Sequence, residues 1–221
     1  MNENHKTISV QTPTRVDLAG GTLDLWPISQ FYRGACTVNV AINQFAKTEI
    51  NFNTSIKGYR LVSEDFELTK EFSSYVDILS EDSNAFSLLS NSIHFFNKYT
   101  ALLPSGEGSG WFEKNSGIEI KTKALSLVGA GLGGSSALLI SIIASLNELT
   151  GAGIEKESLP DIAKNIETEI PHAPAGIQDY FPPIYGGMGR VSFEKTGYEF
   201  HKMEGLSQLG ITSQKVALQT P

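Results

Sequence analysis

The segment Leu127-Val-Gly-Ala-Gly-Leu-Gly-Gly-Ser-Ser-Ala137 constrains this chain more than any other. It follows the strand-like run GIEIKTKALSLV and opens directly into the apolar stretch that begins at Leu138. Glycines adopt backbone conformations that a Cβ forbids, and they let main-chain amides come close to a ligand. The free N–H groups and the dipole of a helix start attract phosphate. Strand, glycine loop and buried helix in that order therefore predict an anion site at the start of a helix running from Ser135 to Leu149. The two serines there would supply hydroxyls to cap the helix, to bind phosphate or to ligate Mg²⁺.

The regions around this loop alternate in character. Residues 7 to 63 read as short strands and turns, with TISVQ, RVDLA, GACTVNVAI and FAKTEINFN as the strand segments. A short helical piece interrupts them at Trp26 to Tyr32, opened by Pro27. Asn84 to Tyr99 predicts a helix with Phe86, Leu89, Ile93 and Phe96 on one face and Asn84 as its cap. The glycine-rich stretch from Thr100 to Asn115 reads as a surface loop. A further helix runs from Leu159 to Ile170 and stops at Pro171. Beyond it the Pro- and Gly-rich segment PHAPAGIQDYFPPIYGG carries one acid, Asp179, at the start of a short helix. Strand patterns GRVSFEK, YEFHKME and QKVALQT complete the sequence, the last without a solvated tail, so the fold is expected to continue past it.

Composition excludes several function classes. The formal charge of −7 over 221 residues argues against a nucleic-acid backbone as the main partner. A single cysteine, Cys36, rules out an intramolecular disulfide or a multi-cysteine metal cluster, and it reads as a small buried hydrophobe. His94 reads as a partly buried helix residue rather than a metal ligand. With no apolar run approaching the ~20 residues of a membrane span and no N-terminal apolar core, the expectation is a cytoplasmic protein without membrane partners.

Which phosphate loop this is depends on its neighbours. A P-loop requires a lysine after its last glycine, and no lysine occurs between Lys123 and Lys156. Gly129, Gly131 and Gly134 do satisfy the dinucleotide pattern G-x-G-x-x-G, but Glu148, the nearest acid, lies inside the predicted helix instead of at a strand end. A nicotinamide-dependent oxidoreductase is thus the weaker alternative.

GAGLGGSSA resembles the second motif of the GHMP kinases, the superfamily of galactokinase, homoserine kinase, mevalonate kinase and phosphomevalonate kinase. TPTRVDLAGGTLD, from Thr12 to Asp24, resembles the first family motif, and AGIQD, from Ala175 to Asp179, resembles the segment that carries the catalytic aspartate. The resemblance covers roughly residues 8 to 195. It is greatest on the sugar-kinase side, near heptose-phosphate kinases and fucokinases. Galactokinases carry Glu-His where this chain has Gly21 and Thr22, and mevalonate kinases carry a lysine where it has Arg15.

The resemblance implies an α+β fold, a two-layer N-terminal domain with a left-handed β-α-β crossover, over residues 1–200. Residues 201–221 would then begin a ferredoxin-like C-terminal domain that is incomplete here. The implied activity is transfer of the γ-phosphoryl group of ATP, with Mg²⁺, to a hydroxyl of a sugar or sugar phosphate. Gly129, Ala130, Gly131, Leu132, Gly133, Gly134, Ser135, Ser136 and Ala137 would wrap the ATP phosphates. Asp179 would accept or orient the hydroxyl proton, and Arg15 would hold that carboxylate ionised. Asp24, with Asp17, Gly21 and Thr22, would grip the sugar. Mg²⁺ would fall to Ser135 or Ser136 and to Glu167 or Glu169. Trp111 and Tyr180 are expected to pack rather than to stack on a ligand. A non-catalytic ATP- or sugar-binding regulatory protein is the alternative of a different class, and the oligomeric state stays open.

Overall fold

The computed structural model describes residues 6–25, 27–32, 34–52, 55–81, 83–105, 108–124, 130–170, 176–194 and 197–203. Two long strands, β1 (Lys6–Ala19) and β2 (Cys36–Phe52), pair antiparallel from Lys6↔Phe52 to Ala19↔Val38. They replace the four short segments expected from the sequence. Alternation of β-branched residues continues across both presumed breaks, so the ladder bends instead of ending. It shifts register between Pro13 and Arg15, where proline has no N–H to give, and again between Asp17 and Ala19. The turn out of β1 depends on Gly20, whose φ is +78° and whose Cβ would sit 2.0 Å from the Cys36 carbonyl oxygen.

β3 (Tyr59–Ser63), β4 (Leu68–Phe72), β5 (Ile118–Ala124), β6 (Met188–Glu194) and β7 (Gly197–Lys202) complete a seven-stranded sheet of order β4-β3-β5-β2-β6-β7, with β1 also on β2. All pairs are antiparallel except β3 with β5, so the sheet is mixed. Helices α1 (Ile28–Phe31), α2 (Tyr75–Leu79), α3 (Ser87–Leu102), α4 (Trp111–Lys114), α5 (Gly134–Thr150), α6 (Leu159–Thr168) and α7 (Phe181–Tyr185) accompany it, with 3-10 turns at Lys156–Ser158 and Gln178–Tyr180. Among the described residues no helix is long and apolar enough to cross a membrane.

α5 is the axis of the core. Leu139, Ile142, Ile143 and Leu146 are fully buried, and the helix lies on β1, β2 and β5 with α3 and α6 beside it. A helix apolar on most sides must be covered on most sides. Two hydroxyls fix its register on the sheet: Thr12 Oγ1 donates to the Ala137 carbonyl at 2.6 Å, and Thr48 Oγ1 meets Ser141 Oγ at 2.7 Å.

Two local expectations are corrected. α3 buries Phe86, Leu89, Ile93 and Phe96 as its spacing requires, but it starts three residues later than expected. Asn84 offers only its carbonyl, to the Ser87 hydroxyl, and Phe86 occupies the cap position. The stretch from Thr100 to Asn115 is not wholly a surface loop. Asn97 Oδ1 accepts the Phe112 amide at 2.9 Å and Thr100 Oγ1 accepts that of Trp111 at 2.9 Å, which seats α4 with Phe112 buried. Cys36 lies in β2, free and half-buried, and His94 meets the Tyr75 hydroxyl at 2.7 Å, its pKa lowered chiefly by burial.

Candidate active site

The site begins where the glycine loop becomes α5. Gly131 and Gly133 have φ of +69° and +67°, and Gly133, left-handed, is the cap residue of the helix. Neither Ser135 nor Ser136 caps it, contrary to one of the roles open to them. The first amides of a helix have no partner within it. Ser135 is exposed, whereas Ser136 and Ala137 turn into the core. Gly129 lies outside the described residues.

Arg15 joins this loop to the remainder of the site. Its backbone N–H donates to the Leu132 carbonyl at 3.0 Å and its Nη1 to the Gly131 carbonyl at 2.5 Å. Nε and Nη2 reach Asp179 Oδ1 and Oδ2 at 2.9 and 2.8 Å, a two-pronged charge-assisted pair. The Arg15 side chain is 9% exposed and that of Asp179 27%, so water screens the pair only in part. Burial pushes the Asp179 pKa up. Arg15 opposes that shift, while Asp17 and Asp24 add to it.

Asp17 shares Arg15 at 3.3 Å, and its pKa too is raised, by burial first. Asp24 is buried, and its Oδ2 accepts the Gln178 amide at 3.2 Å. At Gly176 a Cβ would stand 1.9 Å from that oxygen, so a larger residue there would displace the Asp24 carboxylate. Gly21 and Thr22 are exposed in the intervening turn, and Thr22 holds a left-handed φ of +78°, a strained conformation for a β-branched residue. Glu167, on α6, accepts a short hydrogen bond from the Tyr180 hydroxyl, and burial raises its pKa. Glu169 is exposed just beyond the helix. Trp111 packs against Phe52 and Phe112, and Tyr180 is fully buried.

A cavity of about 440 Å³ opens along the loop. Ala130 to Ser135 form its floor, and Arg15 and Asp179 close one side. The sequence reading missed its remaining wall, Asp65, Phe66, Asn84 and Leu88. Asp65 accepts the Ala124 amide with both oxygens, at 2.9 and 2.8 Å, which ties this wall to the strand that enters the loop. Phe66 is 54% exposed, a large aromatic left open beside the glycine loop. Asp17, Asp24, Gly21, Thr22, Ser136, Ala137, Glu167 and Glu169 do not line the cavity.

Comparison with known proteins finds a likeness in sequence and in fold. Residues 95–187 match the family model of the GHMP kinases N terminal domain. The mevalonate kinase of Archaeoglobus fulgidus is 34% identical over 71 residues, 32% of this chain and 25% of the relative. That of Pyrococcus furiosus is 30% identical over 87 residues, 39% and 25% of the two chains. A D-glycero-D-manno-heptose 1-phosphate kinase from Bacteriodes thetaiotaomicron superposes with a TM-score of 0.76 at 22% identity, covering 90% of this chain and 60% of that one. For the Methanococcus jannaschii mevalonate kinase the values are 0.67, 18%, 90% and 56%. The Lactococcus lactis galactokinase complexed with galactose gives 0.64, 17%, 90% and 48%. The family-model match takes in less than half of the chain, and the superposed structures share its fold at under 25% identity. The chain spans about half to three fifths of the solved relatives' length.

Proposed function

We propose that this chain carries the nucleotide and acceptor sites of an ATP-dependent kinase that phosphorylates a hydroxyl of a sugar or sugar phosphate. The observation that carries this reading is the two-pronged Arg15–Asp179 pair at the open start of α5. Phosphoryl transfer asks a protein for positioning and charge neutralisation, and for a destination for the hydroxyl proton. The amides of residues 130–135 and the α5 dipole would hold the ATP phosphates without a lysine. Asp179, its pKa raised by burial, is a better proton acceptor than an ordinary aspartate. Arg15 keeps it ionised and offsets the negative charge that gathers as the phosphoryl group moves.

The donor set fits Mg²⁺ only in part: Ser135 presents a hydroxyl in the cavity, whereas Glu167, with one oxygen held by Tyr180, lies outside it. Few hard oxygens plus water suffice for this ion. Ser135 would hold it rather than Ser136, which is buried in the core. When bound, Mg²⁺ supplies charge neutralisation at the phosphates.

The charge balance around Asp179 favours hydroxyl groups at that point of the acceptor over a carboxylate. Asp17 and Asp179 share one guanidinium, already committed to Asp179, and Asp24 is close enough to act on both carboxylates. Carboxylates bind hydroxyl donors well and repel a substrate carboxylate. A cytoplasmic location would give such a kinase its ATP.

The test is ADP formation by the full-length protein with ATP, Mg²⁺ and a panel of hexoses, heptoses, their phosphates, mevalonate and homoserine. Turnover with a sugar or sugar phosphate is expected, and turnover confined to mevalonate would overturn the sugar reading. Binding of ATP and sugar without turnover would indicate a regulatory protein.

A further inference from the structure

Asp179 sits on a single 3-10 turn, Gln178–Tyr180, too short to fix its own geometry. Contacts from outside hold it. Asp24 Oδ2 takes the Gln178 N–H at 3.2 Å, Glu167 takes the Tyr180 hydroxyl, and Asn39 Nδ2 donates to the Gln178 carbonyl at 3.1 Å. The last bond differs in kind from the other two. The Gln178 carbonyl belongs to the peptide plane that joins Gln178 to Asp179, so whatever grips that oxygen sets the direction in which the Asp179 side chain leaves the backbone. Asn39 is fully buried on β2, in the interior of the sheet, opposite Asp17 of β1 on one side and Gly189 of β6 on the other. A side chain anchored there has little freedom, and it offers the turn a fixed point that a loop residue would not.

We propose that Asn39 is a positioning residue for Asp179, fixing the 178–179 peptide plane from the sheet so that the carboxylate meets both Arg15 and the acceptor hydroxyl. The proposal rests on the reading of Asp179 as the group facing that hydroxyl. Asn39 itself touches no substrate in this scheme, so its loss acts on turnover rather than on nucleotide affinity.

The experiment compares Asn39→Leu with Thr37→Val in the full-length protein. Thr37 is a fully buried neighbour on the same strand and does not bond to the turn. For Asn39→Leu we expect kcat to fall about tenfold or more, as for a buried carbonyl left unpaired, with KM for ATP within about twofold. Amide hydrogen exchange across residues 176–185 should quicken by about the same factor, because the turn loses a hold. Thr37→Val should change neither. Unaltered kcat well below the melting temperature, or unaltered exchange, would overturn the proposal, and so would loss of ATP affinity in parallel with kcat. Should Asn39→Leu fail to fold, Asn39→Ser shortens the reach while keeping a polar group and carries the same comparison. If the wild-type protein turns over no acceptor, the kinase reading fails, and the exchange measurement alone decides whether Asn39 holds the turn.

Discussion

Charge and burial oppose each other at the individual residues of this site. Asp179 is drawn down by Arg15 and pushed up more strongly by burial, and only its ionised form can accept a proton. The rate should therefore fall with pH through a limb lying above the ordinary aspartate range. Asp179→Asn should abolish that limb and lower kcat by about 10²–10⁴-fold, with ATP affinity by calorimetry nearly unchanged. Glu167 makes a separate prediction about stability. Its folded pKa is raised, so the folded state binds the proton more tightly than the unfolded chain, and the associated stability is present in acid and lost as pH rises through that pKa. Glu167→Gln keeps an acceptor for Tyr180 and removes the buried charge. Its melting temperature, measured without nucleotide, should exceed wild type at pH 7–8, with the difference closing towards pH 4.

At the level of elements, the start of α5 is where sequence and structure can be compared most directly. The strand, glycine loop and helix were legible because their periodicity and glycines are local properties. What the sequence left undecided was which serine faces the ligand. The helix begins at Gly134 with a left-handed glycine before it, and this rotates Ser135 into the cavity and Ser136 into the core. Ser135→Ala should weaken Mg²⁺-ATP binding in a titration, whereas Ser136→Ala should leave it within about twofold. Gly133→Ala forces a left-handed alanine at about 1–2 kcal/mol and brings a Cβ to 3.1 Å from Arg15 Cγ. A fall of roughly 2–8 °C in melting temperature is expected at this size, together with weaker ATP binding because the cradle must shift. Gly20→Ala should be worse, since its Cβ would strike backbone rather than a flexible side chain.

Across the whole molecule, the residues of the site come together from segments far apart in sequence. Arg15 from β1, the loop before α5 and Asp179 after α6 are separated by more than a hundred residues at the widest, and the sheet and α5 unite them. Arg15, Asp24 and Asp179 could be singled out beforehand because each stands in a recognisable local motif. Asn39, Asp65, Phe66 and Leu88 could not, since an asparagine in a strand or a phenylalanine in a turn acquires a role only from what the fold sets opposite it. The two long strands went unseen for a related reason. Pro13 reads as a break along the chain, yet cross-strand pairing on either side carries β1 through it. Taken alone, the sequence determined the helices with strong apolar periodicity, the glycine loop and the acid–base candidates, because propensity, spacing and side-chain chemistry are written residue by residue. Tertiary structure alone decided which oxygen faces which nitrogen, that burial raises the Asp179 pKa against the pull of Arg15, and where the cavity opens, because those depend on distances between parts of the chain that sequence order does not encode.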